Sequence, residues 1–157
     1  MSPTQPSLIE TSPTDEWVRS KFENKNATIR VGTLFSGIGA IEHALQRLKL
    51  KTEIVFAGDI DPFVKEAYFG NYDITEKSWH DDIQDFSAKK YKYKVDLLVG
   101  GSPCQSFSMA GKRGGMEDTR GTLFYDFARV IKECKPKIFI FENVRGLLNH
   151  DKGNTWK

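Results

Sequence analysis

The sequence predicts an α/β fold built on a mostly parallel sheet, and three observations carry that expectation. Short apolar runs at Ile29–Phe35, Glu53–Gly58, Val95–Val99 and Lys137–Phe141 are bounded by glycines or polar turns, as buried strands are. Stretches with apolar residues at helical spacing lie between several of them, which implies crossovers and parallel neighbours. Between the first run and the first helix stands SGIGA (Ser36–Ala40), and strand, glycine turn, helix is the opening of a Rossmann-like unit.

Composition sets the outer limits. The chain has 157 residues, enough for one modest domain, and 39% apolar with 12% aromatic residues allows a core. Lys and Arg number 23 against 21 acids, a net charge of +2, too balanced to announce a nucleic-acid partner by charge alone. The two cysteines, Cys104 and Cys134, give neither a disulfide framework nor a metal-ligand cluster, so no metal is expected and a reducing compartment fits. No apolar run approaches the ~20 residues of a membrane span, and the N-terminus lacks a basic-then-apolar signal pattern. The expectation is a soluble, cytoplasmic protein with no membrane partner.

Residues 1–27 are rich in Ser, Thr and Pro and show no sustained period, so they read as a disordered tail; Asp15 could cap a short helix reaching Phe22. The domain proper is 28–157. After the first strand, Gly37 and Gly39 let backbone approach a ligand closely. Ile41, Ala44, Leu45 and Leu48 then recur at i, i+3, i+4 and i+7, which makes one helix face apolar. The third glycine of a dinucleotide fingerprint is missing, since Ala40 and Glu42 follow. Asp59 ends the second strand, where a carboxylate can accept from ribose hydroxyls or simply make a turn. Asp61-Pro62 caps and starts the next helix.

Lys89–Lys94 (KKYKYK) tempts toward nucleic-acid binding, but it precedes the fourth of five expected strands and reads as a solvated edge. Val95–Val99 leads through Gly100-Gly101 into Ser102-Pro103-Cys104-Gln105, at the sheet end where ligands sit in open α/β folds. Pro103 stiffens that turn. Cys104 alone reads equally as a small buried cysteine or as a nucleophile. Met109–Thr119 forms a long Gly-, Lys- and Arg-rich loop, of the kind that is usually functional. Thr122 then caps a helix whose apolar face includes Leu123, Phe127, Val130 and Cys134, so Cys134 belongs to the core. The last apolar run ends in Glu142-Asn143-Val144, one strand–helix–strand unit after Cys104.

These motifs together resemble the cytosine-5 DNA methyltransferase family. LFSGIGA (Leu34–Ala40) matches its glycine-rich first motif, Pro103-Cys104-Gln105 its nucleophile turn, and Glu142-Asn143-Val144 a later strand end, in family order. The segment Gly111–Ile131 is similar to the family's mobile loop and following helix, and the resemblance covers about residues 29 to 157. It implies a Rossmann-like S-adenosylmethionine-dependent methyltransferase fold, incomplete after the fifth strand.

The resemblance also implies roles. Cys104 would add to carbon 6 of a cytosine flipped from double-stranded DNA, and Glu142 would act at ring N3. S-adenosyl-L-methionine would lie across Phe35, Ser36, Gly37, Ile38, Gly39, Asp59, Ile60, Asp82, Ile83, Pro103 and Leu123. Within His80–Phe86 (HDDIQDF), Asp82 and Ile83 match the adenine-binding acid and its apolar neighbour; without the resemblance the segment reads as a polar turn with one buried Ile. Gln105, Ser106, Ser108, Lys112, Arg113, Arg120, Asn143 and Val144 would face DNA. Two departures stand out. Thr33 replaces the frequent acid before Leu-Phe, and the base-holding, sequence-reading and final cofactor motifs are not in this sequence. Three readings follow: the catalytic half of a DNA methyltransferase of a restriction-modification system, needing a complementing C-terminal polypeptide; an inactive remnant or cofactor-binding fragment; and an RNA-directed relative. Ser102 and Ser106 around Pro-Cys-Gln favour DNA, since the RNA branch is expected to carry prolines there.

Overall fold

The computed structural model describes residues 26–103 and 119–144, and for 119–122 the backbone. The tail through residue 25, where a short helix after Asp15 was expected, lies outside the described residues, as does the expected loop Met109–Thr119 except for Thr119, which is already helical. The described elements are β1 (Ile29–Leu34), α1 (Ala40–Arg47), β2 (Thr52–Phe56), α2 (Pro62–Asn71), β3 (Leu97–Gly100), α3 (Thr119–Cys134) and β4 (Ile138–Phe141). They form one sheet in the order β2-β1-β3-β4. Every pairing is parallel: Val31 lies opposite Ile54 and Leu97, and Leu97 opposite Ile138. The fold is therefore the α/β, Rossmann-like one that the strand and helix periods imply.

The strand order reverses between β1 and β3. Leaving β1, the chain builds β2 on one side and then crosses to β3 on the other, which opens a crevice at the carboxyl ends of β1 and β3. β1 stops because Phe35 turns into the left-handed region at φ 54°. Asp61 caps α2, its Oδ1 accepting from Phe63 N–H at 2.8 Å, with Pro62 at the first helical position.

Three expectations are corrected. The described residues hold four strands, and where the third of five was expected there is a single bridge between Ala57 and Trp79. A 3₁₀ turn (Glu76–Ser78) precedes Trp79 and an Asp82-centred turn follows it, so one residue at most stays extended. Thr122 lies inside α3 and not at its start, because α3 begins three residues earlier in the chain, at Thr119. Finally, α1 covers its apolar stripe only in part: Ile41 and Leu45 are half-buried, Ala44 is exposed and Leu48, just past the helix, is 68% exposed, while the one buried residue of the helix is Glu42.

Two clusters fill the core. One gathers Phe56, Phe86, Tyr91, Leu98, Phe127, Val130 and Cys134, and the other Ala57, Tyr68 and Trp79. Phe56 and Ala57 are neighbours in the chain yet serve different clusters, as alternation along an extended segment requires. Burial pushes the Cys134 thiol up to about 11, so this cysteine is inert packing, as its helix face suggested. Within KKYKYK the four lysines are exposed, but Tyr91 turns inward and is buried.

Side chains tie the ends of the sheet. Arg30 donates to Asp96 from its backbone N–H and from Nε, each at 2.9 Å, and Lys137 Nζ lies 2.8 Å from the same carboxylate. One carboxylate thus holds the amino ends of β1, β3 and β4, and hydrogen bonding from Arg30 keeps it well below the usual acid range. On α3, Arg129 donates to the carbonyls of Phe86 at 2.7 Å and Ile83 at 2.6 Å. Glu133 receives the Ala88 N–H at 2.7 Å. These bonds fix the segment 83–88 that borders the crevice.

Candidate active site

Two adjoining hollows lie at the carboxyl ends of the strands. Both include Leu34 and Phe35 in their walls, so the residues that end β1 divide them. The first is a narrow apolar slot, and Phe35, Asp59, Ile60, Asp82, Ile83, Pro103 and Leu123 all stand in its wall. Those residues come from five separate stretches of sequence, and the crevice assembles them. Asp59 is shaped by the glycine turn: its Oδ2 accepts from Gly37 N–H at 3.0 Å and its Oδ1 from Asp61 N–H at 3.1 Å. Each carboxylate oxygen keeps a further lone pair for a hydroxyl. Gly37 holds φ 52°, and a Cβ on it would meet nothing within 4 Å, so its side faces open space.

The second hollow, of about 240 Å³, is walled by Thr33, Ser36, Glu42, Gly100, Gly101 and Glu142 among others. Glu142 follows β4 and its N–H donates to Gly100 O at 2.9 Å, which extends the β3–β4 ladder by one rung. A Cβ on Gly101 would come within 2.9 Å of Glu142 Oε2. The carboxylate therefore lies against the turn that runs into Ser102-Pro103-Cys104. Asn143 ties the two strand ends from the other side, its Nδ2 donating to Ser102 O at 3.2 Å and Oγ at 3.3 Å. Ser102 is buried there.

Not every expected residue joins the crevice. Ile38 and Gly39 line a separate hollow with His43 and Tyr72. Gly39 is glycine for a neighbour's sake: a Cβ would sit 2.2 Å from the Tyr72 ring, whose OH donates to Gly39 O at 2.7 Å. Asn143, expected to face DNA, donates its amide to Ser102, and Val144 donates its N–H to Asn143 Oδ1 at 2.8 Å. Cys104, Gln105, Ser106, Ser108, Lys112 and Arg113 lie outside the described residues, as does the side chain of Arg120.

A residue-by-residue reading missed His80 and Glu42. His80 walls the slot, and its ring stacks on Phe86 with centroids 3.9 Å apart. Burial, aided by Lys90, pushes its pKa down to about 4, so it is a neutral imidazole at pH 7. Glu42 stands in the first turn of α1, where an acid is favoured by the helix dipole, and that position was its only sequence signal. Its Oε1 accepts from Thr33 Oγ1 at 2.7 Å and from Tyr68 OH at 2.6 Å. Burial, then the Glu42 charge, pushes the Tyr68 phenol up, so it stays a donor.

Comparison with known proteins decides what this crevice belongs to. The profile of the family described as C-5 cytosine-specific DNA methylase matches residues 29–157. The chain belongs to that family. The orphan methyltransferase M.SPRI of Bacillus phage SPR is 50% identical over 127 residues, which is 81% of this chain and 29% of that protein. The type II methyltransferase M1.ScrFI of Lactococcus lactis subsp. cremoris is 44% identical over 137 residues, 87% of this chain and 34% of that protein. Among solved structures, S. pombe Dnmt2 methyltransferase superposes with a TM-score of 0.61 at 25% identity, covering 83% of this chain and 39% of that one. This methylase chain thus spans about a third of the curated relatives it matches. Among its described residues no group of three or more His, Cys, Asp and Glu could hold a metal ion. No described helix is long and apolar enough to cross a membrane.

Proposed function

We propose that this chain is the catalytic and cofactor-binding half of a DNA cytosine-5 methyltransferase of a restriction-modification system. It uses S-adenosyl-L-methionine and needs a C-terminal half that holds the base and reads the sequence. The observation that supports this most is the meeting of Glu142 with the Gly100-Gly101 turn, because it puts an acid beside the segment that delivers Cys104. The crevice fits the cofactor chemically. Asp59 offers acceptors for ribose hydroxyls, Asp82 an acceptor for an exocyclic amine, and Phe35 and Ile83 apolar surfaces for a ring.

Cytosine is a poor nucleophile at carbon 5. The Cys104 thiolate adds to carbon 6 of the flipped base, and Glu142 hydrogen-bonds or protonates N3, where negative charge would otherwise build. Carbon 5 then has enamine character and can take a methyl group. The cofactor supplies that methyl on a sulfonium sulfur. Loss of the carbon-5 proton to a base and expulsion of the cysteine restore the ring. Extruding the base costs a few kcal/mol of unstacking, which contacts from the 105–120 segment and the C-terminal half offset. Asn143 holds Ser102 and so keeps the nucleophile turn in place beside Glu142.

The test uses this chain with and without a matched C-terminal half, duplex DNA carrying 5-fluorocytosine, and tritiated methyl transfer to DNA and to RNA. The pair should form a covalent complex with DNA and methylate it; the 157-residue chain alone should do neither. Cys104→Ala should abolish both signals, and Cys134→Ala should keep them. Glu142→Gln should lower turnover about 10²-fold or more, with cofactor affinity within a few-fold. A trapped complex persisting in Cys104→Ala rejects the nucleophile. Transfer to RNA alone makes the RNA-directed reading correct, and a soluble pair that methylates neither polymer makes the inactive remnant the better account.

A further inference from the structure

We infer that Glu42 is the anchor for the ammonium group at the amino-acid end of the cofactor. The inference rests on the cofactor reading above and adds a residue to the same site. Glu42 is 4% exposed, although the helix that carries it buries nothing else. A carboxylate withdrawn from water is tolerated where partners replace its hydration. Oε1 has two such partners, Thr33 and Tyr68, while Oε2 has none among the described residues. The two donors on one oxygen pin the carboxylate and leave the other oxygen as its unspent acceptor. Buried acceptors without a partner are rare and costly, so this one marks a place for a donor the chain does not itself provide.

The surroundings say what kind of donor. Glu42 walls the hollow of about 240 Å³ that also contains Ser36, Gly100 and Glu142. The ionisable side chains in that wall are two acids, Glu42 and Glu142, with no lysine or arginine among them, so the hollow selects a cation. It adjoins the slot assigned to the nucleoside at Leu34 and Phe35. A ligand with its nucleoside against Asp59 and its other end in this hollow meets Glu42 with whatever cation that end carries, and an α-ammonium supplies three donors. Glu42 is buried and fixed where Glu142 is exposed, so attraction to Glu42 is less screened. Thr33 also gains a rationale: its hydroxyl orients a carboxylate that reaches this place from the helix rather than from the strand.

The experiment measures equilibrium binding of three thioethers to the 157-residue chain: S-adenosylhomocysteine, its analogue lacking only the α-amino group, and 5′-methylthioadenosine, which lacks the whole amino-acid end. The parent chain should bind the des-amino analogue about ten- to hundredfold more weakly than S-adenosylhomocysteine, the scale of a charged hydrogen bond. Glu42→Gln should weaken S-adenosylhomocysteine by a similar factor and leave methylthioadenosine within about twofold. Equal losses for both ligands in Glu42→Gln would make Glu42 a fold residue and overturn the inference, as would an undiminished affinity for S-adenosylhomocysteine. Should Glu42→Gln fail to fold, the parent decides: equal affinity for the amino and des-amino ligands overturns the anchor. If the parent bound none of the three, the cofactor reading itself would fall, and the anchor with it.

Discussion

β1 and β4 belong to the same parallel sheet, yet they sit in opposite circumstances. β1 (IRVGTL) lies between β2 and β3, and Val31, Thr33 and Leu34 are almost fully buried. β4 (IFIF) is the more apolar of the two by composition, yet Ile138, Phe139 and Ile140 are 62%, 54% and 50% exposed. The difference teaches that burial in a parallel sheet is conferred by neighbours and not by the strand's own residues. β1 has a strand on each side; β4 has β3 on one side and no described strand on the other. The outer stripe of α1 repeats the lesson, with Leu48 as bare as Ile138. The crevice is assembled around the sealed part of the sheet, and Glu142 hangs from its open edge.

The sealed side should be the fragile one under mutation. Phe56 is fully buried, its ring 4.9 Å from Tyr91 and 5.0 Å from Phe86 between centroids. Phe56→Ala should cost about 3–5 kcal/mol. A small domain has about 5–15 kcal/mol in all, so the variant should be largely unfolded well below the parent's melting temperature. Circular dichroism melting measures it, and a shift of only a degree or two would mean that the cluster around β2 is not what holds the sheet.

Asp96 joins the two circumstances, since its carboxylate binds Arg30 at β1 and Lys137 at β4. Asp96→Asn should cost about 1.5–3 kcal/mol at neutral pH, the range for charged hydrogen bonds. The sign with pH follows from its depressed pKa. The folded state keeps the carboxylate charged longer than the unfolded chain does, so its contribution is complete above the unfolded value of about 3.9 and is lost as pH falls through the folded value. Urea midpoints between about pH 6 and about pH 2.5 should fall less steeply for Asp96→Asn than for the parent. Parallel slopes would show that this clamp does not report on acid stability.

What was legible in the sequence follows the same division. Strand runs, the cap at Asp61 and the core placement of Cys134 each depend on local pattern or chain punctuation, and they read directly. The slot was legible by motif: Asp59, Asp82 and Leu123 are far apart in the chain, and a shared wall follows only from strand order. Glu42 was hidden because a charged residue in a first helical turn ordinarily points to water. Its burial depends on Thr33 and Tyr68, partners nine and twenty-six positions away. The apolar stripe of α1 misled for the complementary reason, since periodicity tells which residues share a face and not whether anything covers it. Ala57–Trp79 pairing stayed a bridge because the turns on both sides of Trp79 compete with extension, a balance that apolar runs do not reveal.

The smallest effect is expected where the sequence looks most hydrophobic. Phe139 is 54% exposed in β4, so Phe139→Ser removes little buried surface and should change the stability of the isolated chain by less than about 0.5 kcal/mol. Its effect on association should be larger. An apolar strand edge offers unpaired backbone groups and a sticky surface to other copies, and a serine weakens the second of these. Sedimentation velocity over a concentration series should therefore show less self-association for Phe139→Ser than for the parent, at equal melting temperature. The contrast sharpens when a C-terminal half is supplied. If that half covers β4, Phe139 becomes interface, and the same substitution should then weaken the pair by about 1.5–3 kcal/mol, the worth of burying such a side chain. A variant that is neutral alone and costly in the pair identifies the occupant of the open edge. A loss of more than about 2 kcal/mol in the isolated chain would mean instead that β4 is already covered, and that its difference from β1 is smaller than the exposed residues suggest.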